Sequence, residues 1–221
     1  MHDLAEVKER LKQVPPGLAL DIDDTLSQTW AYWGQEMLRR FGNPENLTWE
    51  EIRAKYRRCE NVPYWQTEEA QTWMAESRRG GAYYEQLERM HGSHENVYRI
   101  QEHLPIHVYL TARSIEMLDT TRAWLVKHGY PDVEVISRPL DVPYEDTYRW
   151  KSSILTELYP YIMGIVDDDA NLPSHLPAEY PGTVYIIGKE TNQRDDVRLH
   201  HCPTWEDVYS AVQASHGSRS A

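Results

Sequence analysis

Cysteine is nearly absent from this 221-residue chain: Cys59 and Cys202 lie far apart with no partner spacing. That argues against a disulfide framework or a cysteine-built zinc site. Phenylalanine is rarer still, with a single residue, so the core must come from aliphatic side chains and from the 8 Trp and 15 Tyr. No apolar run approaches the ~20 residues that a bilayer-spanning helix needs. Basic residues are outnumbered 23 to 35 by acidic ones, giving a formal net charge of −12. This argues against sequence-independent nucleic-acid binding, which rests on a basic surface. It leaves room for a small phosphorylated ligand, because charge at one site can oppose the global balance. The stretch Met1–Gln13 is charged and helix-like without an apolar signal core. It reads as retained and the protein as cytoplasmic.

With 40% hydrophobic and 26% charged residues, the composition is that of a soluble globular protein. The length suits one substantial domain, or a core carrying a sizeable insertion. Leu4 to Leu11 are amphipathic and end at Pro15-Pro16-Gly17. Between about Gln28 and His103 there is no convincing strand. Helical spacing recurs in Trp30, Trp33, Met37 and Leu38, then in Trp49, Ile52 and Tyr56, then in Tyr84, Leu87 and Met90. Aromatic residues at that spacing read first as core packing. Breaks fall at Gly42-Asn43-Pro44, Val62-Pro63 and Gly80-Gly81.

From Ile106 the rhythm changes. Strands are predicted at Ile106–Leu110, Val133–Ile136, Tyr161–Val166 and Thr183–Ile187, alternating with helices over Ser114–Lys127, Tyr148–Leu158 and Trp205–Val212. Such alternation implies a parallel sheet with right-handed crossovers. The tail from Ser215 is small and polar and reads as frayed.

The most informative stretch is Asp21-Ile22-Asp23-Asp24-Thr25-Leu26, directly after the apolar Leu18-Ala19-Leu20. A buried strand ending abruptly in carboxylates delivers acids to the sheet edge, and residues two apart face the same way. Buried carboxylates repel one another unless a cation or a shared proton intervenes, which points to a magnesium-dependent site. In parallel sheets, ligands gather beyond the carboxyl ends of strands. Those ends also hold Thr111, with Arg113 close by, and the run Asp167-Asp168-Asp169, while Lys151 lies near a helix start. Taken singly, each has a plain explanation. Asp21 to Asp24 could cap a turn or hold a structural cation, Thr111 could open a helix, Lys151 could be a solvated helix residue, and the later acids a polar loop. Their order and placement make them a set.

That set, DIDDTL, then YLTAR, then Lys151 in RWKSS, then GIVDDD, resembles the four ordered motifs of the haloacid dehalogenase (HAD) superfamily. The resemblance covers the whole core and implies an α/β fold, a Rossmann-like parallel sheet with an inserted α-helical cap. The core would comprise 1–27 and 104–214, the cap 28–103, and the tail 215–221. It further implies Asp21 as nucleophile, forming an aspartyl-phosphate, and Asp23 as general acid and base. Thr111 would hydrogen-bond a phosphoryl oxygen, and Lys151 would offset charge. Mg²⁺ would take oxygen ligands from Asp21, from the backbone carbonyl at Asp23, and from the Asp167–Asp168 pair, with Asp168 the direct ligand, Asp167 its support and Asp169 facing solvent. Dehalogenases and transport ATPases lack an acid at the position of Asp23, whereas phosphatases and phosphomutases carry one. The resemblance therefore implies phosphatase chemistry.

Substrate is less legible. Arg113 and Arg138 each follow a strand on the catalytic side and are candidates to bind a substrate phosphate or base. Trp30, like its neighbours Tyr32 and Trp33, is placed to stack on a nucleobase, and Asp24 adds a carboxylate at the rim. The insertion's length, with Thr121 to Gly129, is similar to the cytosolic pyrimidine 5′(3′)-deoxyribonucleotidases. It is similar also to the 3′-phosphatase domains of polynucleotide kinases. Asp24 departs from the glycine usual in the nucleotidases. Class B acid phosphatases share the DIDDT pattern but are secreted. The expected partner is a small phosphorylated substrate such as a nucleotide, with a nucleic-acid 3′ end or a non-catalytic binding module as alternatives. The His91/His94 and His200/His201 pairs read as solvated, and Arg57-Arg58 and Arg78-Arg79 as surface charge.

Overall fold

The computed structural model describes residues 4–56, 59–77 and 81–217; Arg57-Arg58 and Arg78-Arg79 lie outside them. Six strands form one sheet: β1 (Gly17–Leu20), β2 (Ile106–Ser114), β3 (Glu134–Arg138), β4 (Ile162–Asp167), β5 (Thr183–Ile187) and β6 (Arg198–Cys202). Their order is β3-β2-β1-β4-β5-β6 and every pairing is parallel. A parallel sheet must be covered on both faces, so its strands are continuously apolar. All four residues of β1 are buried.

Successive side chains alternate between the two faces. Leu18, Leu20, Tyr109, Val166 and Tyr185 enter one core with Trp124 of α7 (Leu118–Lys127) and Trp205. Ala19, Val108, Leu110, Ile165 and Val184 enter the other, with Leu155 and Leu158 of α8 (Thr147–Leu158) and Val7 and Leu11 of α1 (Leu4–Leu11). Between β1 and β2 lie α2 (Thr29–Phe41), α3 (Trp49–Tyr56), α4 (Glu68–Ser77), α5 (Gly81–Tyr84) and α6 (Ser93–Gln101). The first three, with the segment between α3 and α4, build a separate core from Trp33, Met37, Trp49, Ile52, Val62, Trp65 and Met74. The aromatic density read in this stretch is packing. Helix α6 behaves differently: it buries Val97 and Ile100 with the sheet's side chains and packs on α9 (Trp205–His216).

Three expectations require correction. The spacing of Tyr84, Leu87 and Met90 is not one helix, because α5 ends at Tyr84. The chain beyond it runs back beside the end of the first motif: Arg89 bridges antiparallel to Ser27, Gln28 N–H donates to Glu88 O at 2.8 Å, and Met90 N–H donates to Leu26 O at 2.7 Å. Strand β6 was not foreseen. Its sequence, Arg-Leu-His-His-Cys, is polar because it is the sheet's edge and largely uncovered. The last helix continues through His216, past the expected start of the tail. Among the described residues, no helix is long and apolar enough to cross a membrane.

Gly164 in β4 shows how tightly the central strands are drawn together. A Cβ there would lie 2.0 Å from the Thr183 carbonyl oxygen of β5, which backbone pairing holds in place. Gly164→Ala is therefore expected to destabilise the protein by ~2 kcal/mol, within the range for overpacked sites. Denaturant unfolding would measure it, and an unchanged midpoint would contradict the close approach.

Candidate functional site

The strand order reverses between β1 and β4, the place where a parallel sheet opens a crevice. The acids stand there. Asp21 follows β1, its N–H still paired to Val166 O at 2.9 Å, and Asp167 closes β4. Lys151, reaching from the first turns of α8, fills the gap: its Nζ donates to Asp21 Oδ1 at 2.6 Å and to Asp167 Oδ2 at 2.7 Å. All three are buried. Burial alone would lower the ammonium's pKa, but the two carboxylates outweigh it and raise it. Asp21 is pushed up to about 7, by burial first, against the lowering effect of Lys151 and with a further rise from Asp167 and Asp23. Asp167 is likewise raised by burial, in spite of Lys151.

The loop after β1 turns sharply. Leu26 and Ser27 N–H groups both reach Ile22 O, Asp24 N–H reaches Ser27 O, and Asp24 takes a left-handed conformation with φ of 56°. Its carboxylate accepts from the Trp30 N–H at 3.1 and 3.2 Å, at the N-terminal end of α2. There it meets both the helix's free N–H groups and its dipole. Even so, burial holds Asp24 well above the ordinary carboxyl range, against the Trp30 N–H and the charge of Arg53 on α3. Asp168 is also raised well above it, by burial and then by Asp24, Asp167 and Asp21. Asp23 is the exception. Burial pushes it up, but the charge and hydrogen bonds of Arg113, with the Thr29 hydroxyl, bring it below its usual value. Thr111 Oγ1 accepts from the Arg113 N–H at 3.2 Å, leaving its hydroxyl proton to donate.

No protein-family model and no curated protein sequence matches the chain. Solved structures do. It is similar to a HAD family hydrolase from Deinococcus radiodurans R1 with bound phosphate and sodium, at 12% identity and a TM-score of 0.55, over 91% of this chain and 96% of that one. It is similar also to the HAD-hydrolase YfnB of Bacillus subtilis bound to magnesium, at 13% identity and 0.54, over 90% and 98%. A third is the L-2-haloacid dehalogenase of Xanthobacter autotrophicus, at 12% identity and 0.52, over 90% and 99%. This chain has the fold of the haloacid dehalogenase superfamily. In that HAD fold, the six-stranded parallel sheet and its insertion after β1 place the acids described above.

Asp21, Asp167 and Asp168 each offer a carboxylate oxygen, all within 4.8 Å of one another. An all-oxygen donor set suits Mg²⁺ rather than a softer metal. The charge balance agrees. Five carboxylates, Asp21, Asp23, Asp24, Asp167 and Asp168, interact electrostatically here, and the buried cations among them are Lys151 and Arg113. A divalent cation fits that surplus. The Asp23 carboxylate is not part of the cluster of three. Among the described residues, no histidine joins a metal-holding group, and Cys59 and Cys202 are buried free thiols.

The four residues expected to contact substrate are placed otherwise. The Arg113 side chain is buried and paired with Asp23. Arg138 donates to the main-chain carbonyls of Ala112, at 3.1 Å, and Val142, bracing the loop after β3. Trp30 offers Asp24 its backbone N–H, while its ring packs against the insertion's core. Asp24 caps α2. Asp169, expected in solvent, accepts from the Tyr148 hydroxyl and from both nitrogens of Asn171. Thr29, Ser27 and Arg53 were not foreseen. Thr29 and Ser27 lie only a few residues past the first motif, in a stretch of hydroxyl side chains. Arg53 carries no sequence signal.

A metal that binds these acids competes with their protons. The folded-state pKa of Asp21 lies above the value of 3.8 expected of a free carboxyl, so its burial weakens the metal-free fold increasingly as pH rises through about 7. Mg²⁺ is therefore expected to raise the melting temperature more at about pH 8 than at about pH 5. Thermal unfolding with MgCl₂ or EDTA at both pH values measures this, and equal gains would contradict it.

Proposed function

We propose that this chain is a Mg²⁺-dependent phosphomonoester hydrolase of the HAD superfamily, acting through an aspartyl-phosphate on Asp21. Its substrate would be a small phosphorylated metabolite such as a nucleotide, met in the cytoplasm. The observation that carries the proposal is the surplus of buried carboxylate around Asp21, with Lys151 on one side and Asp23 on the other. Asp21, Asp167 and Asp168 would hold Mg²⁺, which offsets the charge of nucleophile and phosphoryl group when bound. The Asp21 carboxylate attacks phosphorus, and the ester P–O bond breaks. Lys151 keeps Asp21 oriented and partly neutralised. Thr111 donates its hydroxyl to a phosphoryl oxygen. Asp23 protonates the departing oxygen, then takes a proton from the water that releases phosphate from Asp21.

A haloacid dehalogenase reading fits less well. Without a bound cation to offset charge, its substrate anion would face carboxylates, while Lys151 and Arg113 are already paired. A departing halide needs no proton, which leaves Asp23 without work. A nucleic-acid 3′-phosphatase is disfavoured by the net charge of −12. The insertion adds a cation near the acids. The Trp49 ring lies against Gly34 of α2, and Arg53, one turn later on an exposed face of α3, makes its charge felt at Asp24. Arg53 is suited to an anionic substrate.

Phosphate release from nucleoside monophosphates, sugar phosphates and a 3′-phosphorylated oligonucleotide, with Mg²⁺ or EDTA, tests the proposal. Turnover is expected with Mg²⁺ and on small monoesters, and Asp21→Asn is expected to abolish it. Full activity in that variant would sink the mechanism. Arg53→Ala is expected to raise KM about tenfold with little change in kcat, as loss of one charge-assisted contact does. An unaltered KM would remove Arg53 from substrate binding.

A further inference from the structure

The Arg113 guanidinium is enclosed, its side chain 1% exposed, and groups from several segments hold it. Its Nε donates to Asp23 Oδ1 at 3.2 Å and to Oδ2 at 3.1 Å. Its Nη2 donates to Asp23 Oδ1 at 2.8 Å and to Ser27 Oγ at 3.3 Å. Its Cζ stands 4.3 Å from the Tyr84 ring centroid and 5.9 Å from that of Trp124. Among the described residues, Nη1 has no hydrogen-bond partner. A buried arginine is tolerated only when it is compensated. Here the compensation is one carboxylate and the π faces beside it.

The donors fall unequally on the two Asp23 oxygens. Oδ1 accepts from Nη2 and Nε of Arg113 and from the Thr29 hydroxyl at 2.6 Å. Oδ2 shares only the Nε contact. A carboxylate oxygen has two in-plane lone pairs, so Oδ1 is saturated while Oδ2 keeps one free. The Asp23 side chain is 26% exposed, so the carboxyl is not sealed away from the crevice.

We infer that Arg113, together with Thr29, is a positioning residue that turns Asp23 so that Oδ2 is its working oxygen. This rests on the phosphomonoesterase reading. As the Asp21–P bond forms and the ester P–O bond breaks, a proton that Oδ2 takes from the bound substrate's monoanionic phosphate passes to the ester oxygen. As water bonds to phosphorus and Asp21 departs with its electron pair, a water proton returns to Oδ2. Ser27 and Tyr84 stand at the two ends of the helical insertion, so the same arginine ties the orientation of Asp23 to the seating of those helices.

The test uses the intact protein with Mg²⁺ and two substrates. p-Nitrophenyl phosphate releases a stable anion that needs no proton, whereas a primary alkyl monophosphate releases one that does. Thr29→Val removes a donor at a half-buried site, Arg113→Lys keeps the charge but loses the fork, and Arg113→Met removes both. Thr29→Val and Arg113→Lys are expected to lower kcat/KM, which reports leaving-group departure and not the later hydrolysis, about tenfold or more on the alkyl ester, within the span of general-acid catalysis, and by less than about twofold on p-nitrophenyl phosphate. The alkyl-ester loss in Arg113→Met should exceed that in Arg113→Lys. Equal losses on both esters would assign Arg113 and Thr29 a merely structural role and overturn the inference, as would no loss on either. Should the arginine variants fail to fold, Thr29→Val decides alone. A wild-type protein inactive on both esters would overturn the phosphatase reading and this assignment with it.

Discussion

Asp21 and Asp167 extend from neighbouring strands and meet across the ammonium of Lys151, within 2.6 and 2.7 Å. Neither acid is comfortable there. Desolvation disfavours the charged form of each, and each also repels the other. The lysine makes the meeting tolerable, and it does so from a helix that packs against β4. Position is therefore enforced by electrostatics as well as by packing: losing one partner would leave an uncompensated charge inside the sheet. Around this triad the other acids are graded. Asp23 is held charged by Arg113, whereas Asp24 and Asp168 are pushed toward protonation. One small volume thus keeps acids of opposite tendency side by side, which is the raw material of acid–base chemistry.

Much of this was legible because it follows from periodicity and from strand ends. Apolar runs that stop in Asp21, Thr111 and Asp167 reveal both the sheet and its working edge, since only buried parallel strands read that way. What escaped notice lacked such a signal. Strand β6 is an edge, polar by necessity. Leu87 and Met90 have helical spacing, yet their backbone is claimed by pairing with Leu26 and Ser27, a long-range contact that no local pattern encodes. Residues 93–101 form a helix that the spacing did not single out, and its partner is the last helix of the chain.

The side chains around the acids divide in the same way. Lys151 is found by its order among motifs, because the strands fix where it must point. Arg113 and Arg138 were correctly placed near the edge but given the wrong direction. Sequence shows that a guanidinium is present, not which acceptor reaches it first. For Arg113 the acceptor is Asp23, ninety residues away in sequence. For Arg138 it is the main chain of its neighbours. Arg53 could be recognised only from its proximity to Asp24 in space.

The chain leaves the sheet at Ser27 and returns at Arg89 through a hydrogen-bonded crossing. To the sheet, everything in between is a closed loop with fixed ends. Closure entropy grows only logarithmically with loop length, so the core scarcely senses how many residues the loop holds. Helices there can be lengthened, exchanged or grafted while Asp21, Lys151 and Asp167 keep their registry. The crossing works as a socket, and it lets the helices change while the acids at the ends of β1 and β4 stay where they are.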